Sequence, residues 1–184
     1  MKKILFLILL TFTTTILAVE KEIQLPFSKE SAKYWQYISD RTMGGASDGQ
    51  AVLEQNEDIF FARLTGNVST DNNGGFIQFR STLSFTNLDK EGKKIKGVRL
   101  NVRGNGETYH IFIRTNETQS YSDYYLATFI ANNKWEIVDL PFTQFKHRFS
   151  NRTLAGKNIR TFGIVAYGRE FFSDVSVSKI TFYY

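Results

Sequence analysis

The chain is 184 residues long, carries 23 Lys and Arg against 18 Asp and Glu for a formal net charge of +5, and contains 17 Phe, nine Tyr and no cysteine. Without cysteine it can hold no disulfide, no thiolate metal centre and no cysteine nucleophile. So mild a charge, with no stripe of Lys and Arg along one element, argues against a nucleic-acid partner.

Met1-Lys2-Lys3 make a short cationic start, and residues 4–18 carry no charge and are mostly Ile, Leu and Phe, thinned by Thr11, Thr13, Thr14 and Thr15. This reads as a secretory signal peptide cleaved near Ala18, too short and too diluted for a spanning helix. The expectation is an exported chain, periplasmic or secreted, whose residues 19–184 form one domain with a formal charge of +3.

The remainder reads as strand almost throughout. Val98, Leu100 and Val102 alternate with Arg99, Asn101 and Arg103, and Tyr109, Ile111 and Ile113 alternate with His110, Phe112 and Arg114. This period of two is that of a half-buried strand, and a slip of one residue would bury the arginines unpaired. Further strands are expected over 23–27, 51–55, 59–64, 76–81, 124–131, 134–140, 160–167 and 175–184, with brief helical stretches only over 28–37 and 143–149. Turn signals separate the runs: Asp48-Gly49, Asn73-Gly74-Gly75, Glu91-Gly92, Gly104-Asn105-Gly106, Asn132-Asn133 and Tyr167-Gly168. The pattern predicts an all-β antiparallel sandwich of roughly eight to eleven strands, with Val98, Leu100, Val102, Tyr109, Ile111, Ile113, Val138 and Leu140 in its core.

Catalytic chemistry finds little support. His110 and His147 are the two histidines. His110 reads as a half-buried strand residue. His147, within Lys146-His147-Arg148, reads as part of a solvated loop. No Gly-x-Ser-x-Gly elbow occurs. Gly104-Asn105-Gly106 has Tyr109 where a dinucleotide fingerprint needs its third glycine, and reads as a hairpin turn. A carboxylate pair needs only proximity in space, but no motif pairs any two acids. Asp71-Asn72-Asn73 suits either a turn or loop oxygens around calcium, and the turn is the better reading.

Two features stand out. The loop Ser39-Asp40-Arg41-Thr42-Met43-Gly44-Gly45-Ala46-Ser47 follows Tyr34-Trp35 and reads either as a structural plug at one end of the sandwich or as a ligand-contacting loop; the plug is favoured. From 140 to 169 the positive residues Lys146, Arg148, Arg152, Lys157, Arg160 and Arg169 meet no Asp or Glu, which makes a local positive field.

Trp35 with Asp40-Arg41-Thr42-Met43-Gly44-Gly45-Ala46-Ser47, then Gly66-Asn67-Val68-Ser69, Asn72-Asn73-Gly74-Gly75-Phe76 and Arg80, resembles the complex I intermediate-associated protein 30 family. Val102-Arg103-Gly104-Asn105-Gly106 to Tyr109 and Arg114, Trp135 to Leu140-Pro141-Phe142 and Phe145, Ile159, Gly163, Val177 and Ile180 follow in the family's order, covering nearly all of the mature chain. The resemblance implies an all-β, galactose-binding-domain-like jelly roll akin to some carbohydrate-binding modules. It supplies no catalytic residues and no cofactor. The family's role in assembling respiratory complex I belongs to the matrix side of the inner membrane, so an export signal is a departure from it.

The reading is therefore a non-catalytic binding protein without metal or cofactor. It contacts a protein partner as an assembly factor or, alternatively, an envelope or extracellular glycan. Candidate contacts are Asp40, Arg41, Ser47, Asn72, Asn73, Arg80, Arg103 and Arg114, with the arginines at strand ends beside loops. Each arginine could instead tie down an acid such as Asp71, Glu107 or Asp139. The basic residues Lys146, Arg148, Arg152, Lys157, Arg160 and Arg169 would add weak attraction to an anionic membrane surface.

Overall fold

The computed structural model describes residues 21–57, 59–83, 85, 88 and 91–184. The expected signal peptide lies outside them. Two six-stranded antiparallel sheets face one another. The first holds β1 (Glu22–Pro26), β3 (Asp48–Asn56), β4 (Ile59–Val68), β6 (Gly97–Gly104), β9 (Glu136–Pro141) and β12 (Phe171–Tyr183). Its order is β3-β4-β12-β6-β9, with β1 beside the second half of β12. The second holds β2 (Trp35–Ser39), β5 (Phe76–Thr82), β7 (Glu107–Thr115), β8 (Tyr125–Ala131), β10 (Lys146–His147) and β11 (Ile159–Tyr167), in the order β10-β8-β7-β11-β5-β2.

The alternation places the core as expected. Val98, Leu100, Val102, Tyr109, Ile111 and Ile113 are fully buried between the sheets, with Leu140 almost so. Val138 is only half-buried, because β9 is an edge strand with one neighbour. Tyr109 keeps its hydroxyl satisfied inside the core, donating to Asn105 Oδ1 at 2.6 Å and accepting the Asp174 N–H at 2.9 Å. A buried phenol without such partners would be costly.

Three local expectations change. Residues 28–37 are not helical beyond a single 3-10 turn at Ala32–Tyr34, and Trp35–Ser39 is strand β2 on the edge of the second sheet. Trp35 packs at 5.2 Å from the rings of both Phe27 and Phe79, a tertiary gain that overrides weak helix propensity. Within 143–149 a 3-10 turn at Phe142–Gln144 likewise gives way to the short strand β10. Gly104-Asn105-Gly106 is no hairpin: β6 lies in the first sheet and β7 in the second, so this turn carries the chain across the sandwich. A Cβ on Gly104 would come within 2.8 Å of both Ala131 Cβ and the Asp174 carbonyl, which is why the crossing needs glycine.

Candidate functional site

The motif loops build one buried joint. Asp40 is fully buried, as is Ser47. Asp40 Oδ1 accepts the Ser47 N–H at 2.9 Å. Its Oδ2 accepts the Ser47 hydroxyl at 2.5 Å, the Gly75 N–H at 2.6 Å and the Phe76 N–H at 3.1 Å. Burial works to raise this carboxyl, but the bonds from Ser47, Gly75 and Phe76 outweigh it and hold Asp40 below the ordinary carboxylate value. The carboxylate therefore ties the 40–47 loop to the start of β5. Cβ atoms on Gly45 and Gly74 would fall 2.4 and 2.5 Å from the Asp40 carboxyl group, so both glycines are packed against it. Asp40 and Ser47 offer no atom to a ligand in this arrangement. Arg41 is exposed and lies 3.8 Å from Asp48. Asn72 and Asn73 are exposed on the neighbouring turn, with φ of 55° and 58°.

The second sheet carries a different kind of surface on its outer side. Its core-facing residues are Ile77 and Phe79 on β5, Tyr109, Ile111 and Ile113 on β7, and Phe162, Ile164 and Ala166 on β11. The alternate residues face outward in register. One row runs Thr128, His110, Val165, Gln78 and Ile38 from β8 to β2. The next runs Leu126, Phe112, Gly163, Arg80 and Gln36. Beyond it lie Arg114, Thr161 and Thr82. Phe112, Tyr124 and Val165 make a small apolar cluster here, joined by Phe76, Leu126 and Tyr167, with Phe112 stacked on Tyr124 at 3.9 Å. Gly163 sits at the middle of its row, where a Cβ would lie 3.1 Å from the Gln78 side-chain oxygen. A central-strand glycine of this kind marks close approach by another group.

This face also holds polar atoms that the fold leaves unused. Among the described residues, five buried side-chain atoms lack a hydrogen-bond partner, and four of them are Gln78 Oε1, His110 Nδ1, Thr161 Oγ1 and Arg114 Nη1. The fifth, the Tyr37 hydroxyl, belongs to the residue paired with core-facing Phe79. Buried polar groups are ordinarily satisfied, so their concentration on one face requires a reason. Burial pushes the His110 imidazole below its ordinary value, which keeps it neutral and able to accept at one ring nitrogen. At one end a cleft of about 600 Å³ is lined by Arg80, Thr82, Arg114, Tyr121, Arg160 and Thr161, among others.

The structure sorts the arginines singled out in the sequence. Arg80 and Arg114 share this cleft; Arg103 does not. Arg103 lies on the outer side of the first sheet, 5.0 Å from the Trp135 ring centre and 5.7 Å from that of Phe61, in a separate hollow with Arg63 and Asp174. None of the three pairs with Asp71, Glu107 or Asp139 among the described residues. Gln78 and Thr161 are not singled out by the sequence, and His110 reads there only as a half-buried strand residue, because the sequence gives strand alternation but not which sheet face is left unpaired.

The basic span does not form one patch. Arg160 enters the cleft. Arg148 lies over Tyr124 and Phe149 at 5.2 and 5.0 Å. Arg169 pairs with Glu107 and covers Phe171. Lys146 is exposed on β10, and Lys157 is half-buried in the loop before β11.

His147 corrects the solvated-loop expectation: it is buried on β10. Its Nε2 lies 2.5 Å from Asp123 Oδ1, and its Nδ1 faces the Ser150 hydroxyl at 2.8 Å. The Phe149 N–H reaches the same Nδ1 at 3.3 Å, and an Arg152 guanidinium nitrogen lies 2.6 Å from Nε2. Ser150 Oγ in turn accepts from the backbone N–H and Nε of Arg152. Serine, histidine and aspartate thus meet, but their polar atoms are spent on tying Asp123, just before β8, to the turn that follows β10.

The family model for complex I intermediate-associated protein 30 matches residues 25–173. No curated protein sequence matches the chain. Among solved structures, the family 11 carbohydrate-binding module of a cellulosomal cellulase of Clostridium thermocellum superposes with a TM-score of 0.69 at 14% identity, covering 90% of this chain and 95% of that one. A structure of the Clostridium thermocellum module in complex with a β-1,3-1,4-mixed-linked tetrasaccharide gives 0.69 at 16% identity, covering 90% and 96%. The K2 adhesin domain of Lys-gingipain gives 0.53 at 9% identity, covering 88% and 99%. At such identities these likenesses establish the jelly-roll fold of galactose-binding-like type. With the family model spanning most of its length, the chain belongs to the complex I intermediate-associated protein 30 family.

Proposed function

We propose that this protein binds a glycan along the outer face of its second sheet and holds it without cleaving it. The observation that carries the reading is the cluster of four unpartnered buried polar atoms, on Gln78, His110, Thr161 and Arg114. One is an amide acceptor, one a guanidinium donor, one a hydroxyl and one an imidazole nitrogen, a mixture that sugar hydroxyls, which both donate and accept, complement. Half-buried Tyr167 and exposed Tyr121 flank them and offer aromatic surface to sugar C–H faces. The carbohydrate-binding modules that share this fold, one of them with its tetrasaccharide, make the use of such a face plausible chemistry for the architecture. On this reading the first 18 residues direct export to where an envelope or extracellular glycan is met.

The decisive variant is Gln78→Leu. It removes an unpartnered buried acceptor at nearly constant shape, so stability should be unchanged or higher while glycan affinity falls. The check is a glycan array followed by titration calorimetry, with urea unfolding alongside. Lower stability with full affinity would assign Gln78 to the fold and remove the site. A second reading, docking of a protein partner, draws on family membership and on Ile130, an exposed apolar residue of the same outer face. Recovery of membrane-complex subunits from a native envelope, abolished by Ile130→Asp and not by Gln78→Leu, would favour it.

A further inference from the structure

The end of the face at Arg80, Arg114 and Arg160 has a chemistry of its own. Arg114 is almost fully buried, at 4% exposure. Its Nε and Nη2 both donate to the Tyr121 carbonyl, at 3.1 and 2.5 Å, while Nη1 has no partner. Arg80 is half-buried, with its guanidinium 5.9 Å from the Tyr121 ring centre. Arg160 is exposed and lines the same cleft of about 600 Å³. No carboxylate pairs with any of the three among the described residues. Burial, and then the neighbouring charges of Arg80 and Arg160, push the Arg114 guanidinium down to about 10. Burial lowers Arg80 as well, with Arg160 adding to it.

Three like charges in one hollow, one of them buried, repel each other and are poorly solvated, a cost that an anion would offset. We propose that, on the glycan reading above, the bound sugar is acidic, with an oxyanion seated between Arg80, Arg114 and Arg160. Arg114 Nη1–H reaches it from the floor, and the guanidinium forks of Arg80 and Arg160 take the remaining oxygens from the walls. Thr161 Oγ1 supplies a further hydroxyl at the same end. Gln78 and His110 share one row, next to that of Arg80 and two from that of Arg114 and Thr161, and meet the neutral hydroxyls of adjoining sugar units. A carboxylate of a uronic acid and a sulfate ester share this chemistry.

The full chain is titrated with polygalacturonate, with its carboxyl-reduced neutral counterpart, with dextran sulfate and with dextran. The expected result is binding of an acidic chain, with its neutral counterpart at least about tenfold weaker. Preference between polygalacturonate and dextran sulfate identifies the oxyanion. Arg160→Gln, on an exposed side chain that folding does not need, should weaken binding by about tenfold or more, and Lys134→Gln, remote from the cleft, should not. Equal affinity for acidic and neutral chains would overturn the acidic ligand and leave the glycan reading standing. Failure of all four polymers, together with an empty neutral-glycan array, would overturn both. An equal loss in Lys134→Gln and Arg160→Gln would reduce the effect to diffuse attraction and also overturn the site.

Discussion

Asp40→Asn tests whether the buried carboxylate is the joint that the geometry describes. The substitution keeps size and shape but places an amide opposite Asp40 partners that are all donors. Either orientation of the amide turns its NH2 toward donors. With the NH2 at the Oδ2 position the N–H groups of Gly75 and Phe76 lose their acceptor, whereas at Oδ1 only the Ser47 N–H does, so the amide takes the second orientation. An orphaned buried donor costs about 1–3 kcal/mol. One such donor sets a loss of at least about 1 kcal/mol, a sizeable share of the 5–15 kcal/mol typical of a domain. For a chain of this length that is a fall of at least about 2–4 °C in the unfolding midpoint. Urea unfolding followed by the fluorescence of Trp35 and Trp135 would measure it. The pH dependence gives a second handle. The folded-state value of Asp40 lies below its unfolded value. Its contribution is therefore full above the unfolded value of about 3.9 and disappears as pH falls through the folded value beneath it. The gap between wild type and Asp40→Asn should accordingly be widest near neutrality and shrink as acid is added below that value. An unchanged urea midpoint at pH 7, or a gap that widens in acid, would refute the reasoning.

Gly45→Ala and Gly44→Ala should differ in cause and size. At Gly45 the new Cβ meets the Asp40 carboxyl group at 2.4 Å, for a loss of about 1–3 kcal/mol from overpacking alone; at Gly44 there is open space and only a φ of +88° to resist alanine, for about 1 kcal/mol. Calorimetric midpoints that place Gly44→Ala lower would contradict this order. Leu100→Ala, at a fully buried position on β6, should cost about 2–5 kcal/mol in urea unfolding, and a loss below about 1 kcal/mol would mean the strand is not central. Ser150→Ala should leave ester hydrolysis of an activated acetate at the level of the wild-type protein, since its hydroxyl closes the His147 turn; a drop in rate specific to that variant would make the turn a catalytic site.

The strands and the face each presents to the core were legible in the chain because a period of two is a local property. Val98 to Val102 and Tyr109 to Ile113 needed only their own neighbours to be read. The segment at Trp35 was not, since its strand character comes from Phe27 and Phe79 across the fold rather than from its own residues. The glycine-rich motif could be read as a turn cluster, but that Asp40 reaches Gly75, 35 positions later, depends on how two loops meet. The same limit applied to Gly104-Asn105-Gly106, where a crossover and a hairpin share one local sequence.

What the sequence determined by itself was the all-β sandwich, its core positions and its family, because burial pattern and motif order are written along the chain. What only the tertiary structure decided was which polar groups are left without partners. Arg80, Arg103 and Arg114 look alike at the ends of their strands, yet strand order puts two of them in one cleft and sends the third to the opposite sheet. His147, expected in a solvated loop, is buried for the same reason, while His110 is the half-buried strand residue expected. A side chain's partners are fixed by which strands pair and which faces meet, and those are long-range facts that no stretch of residues contains.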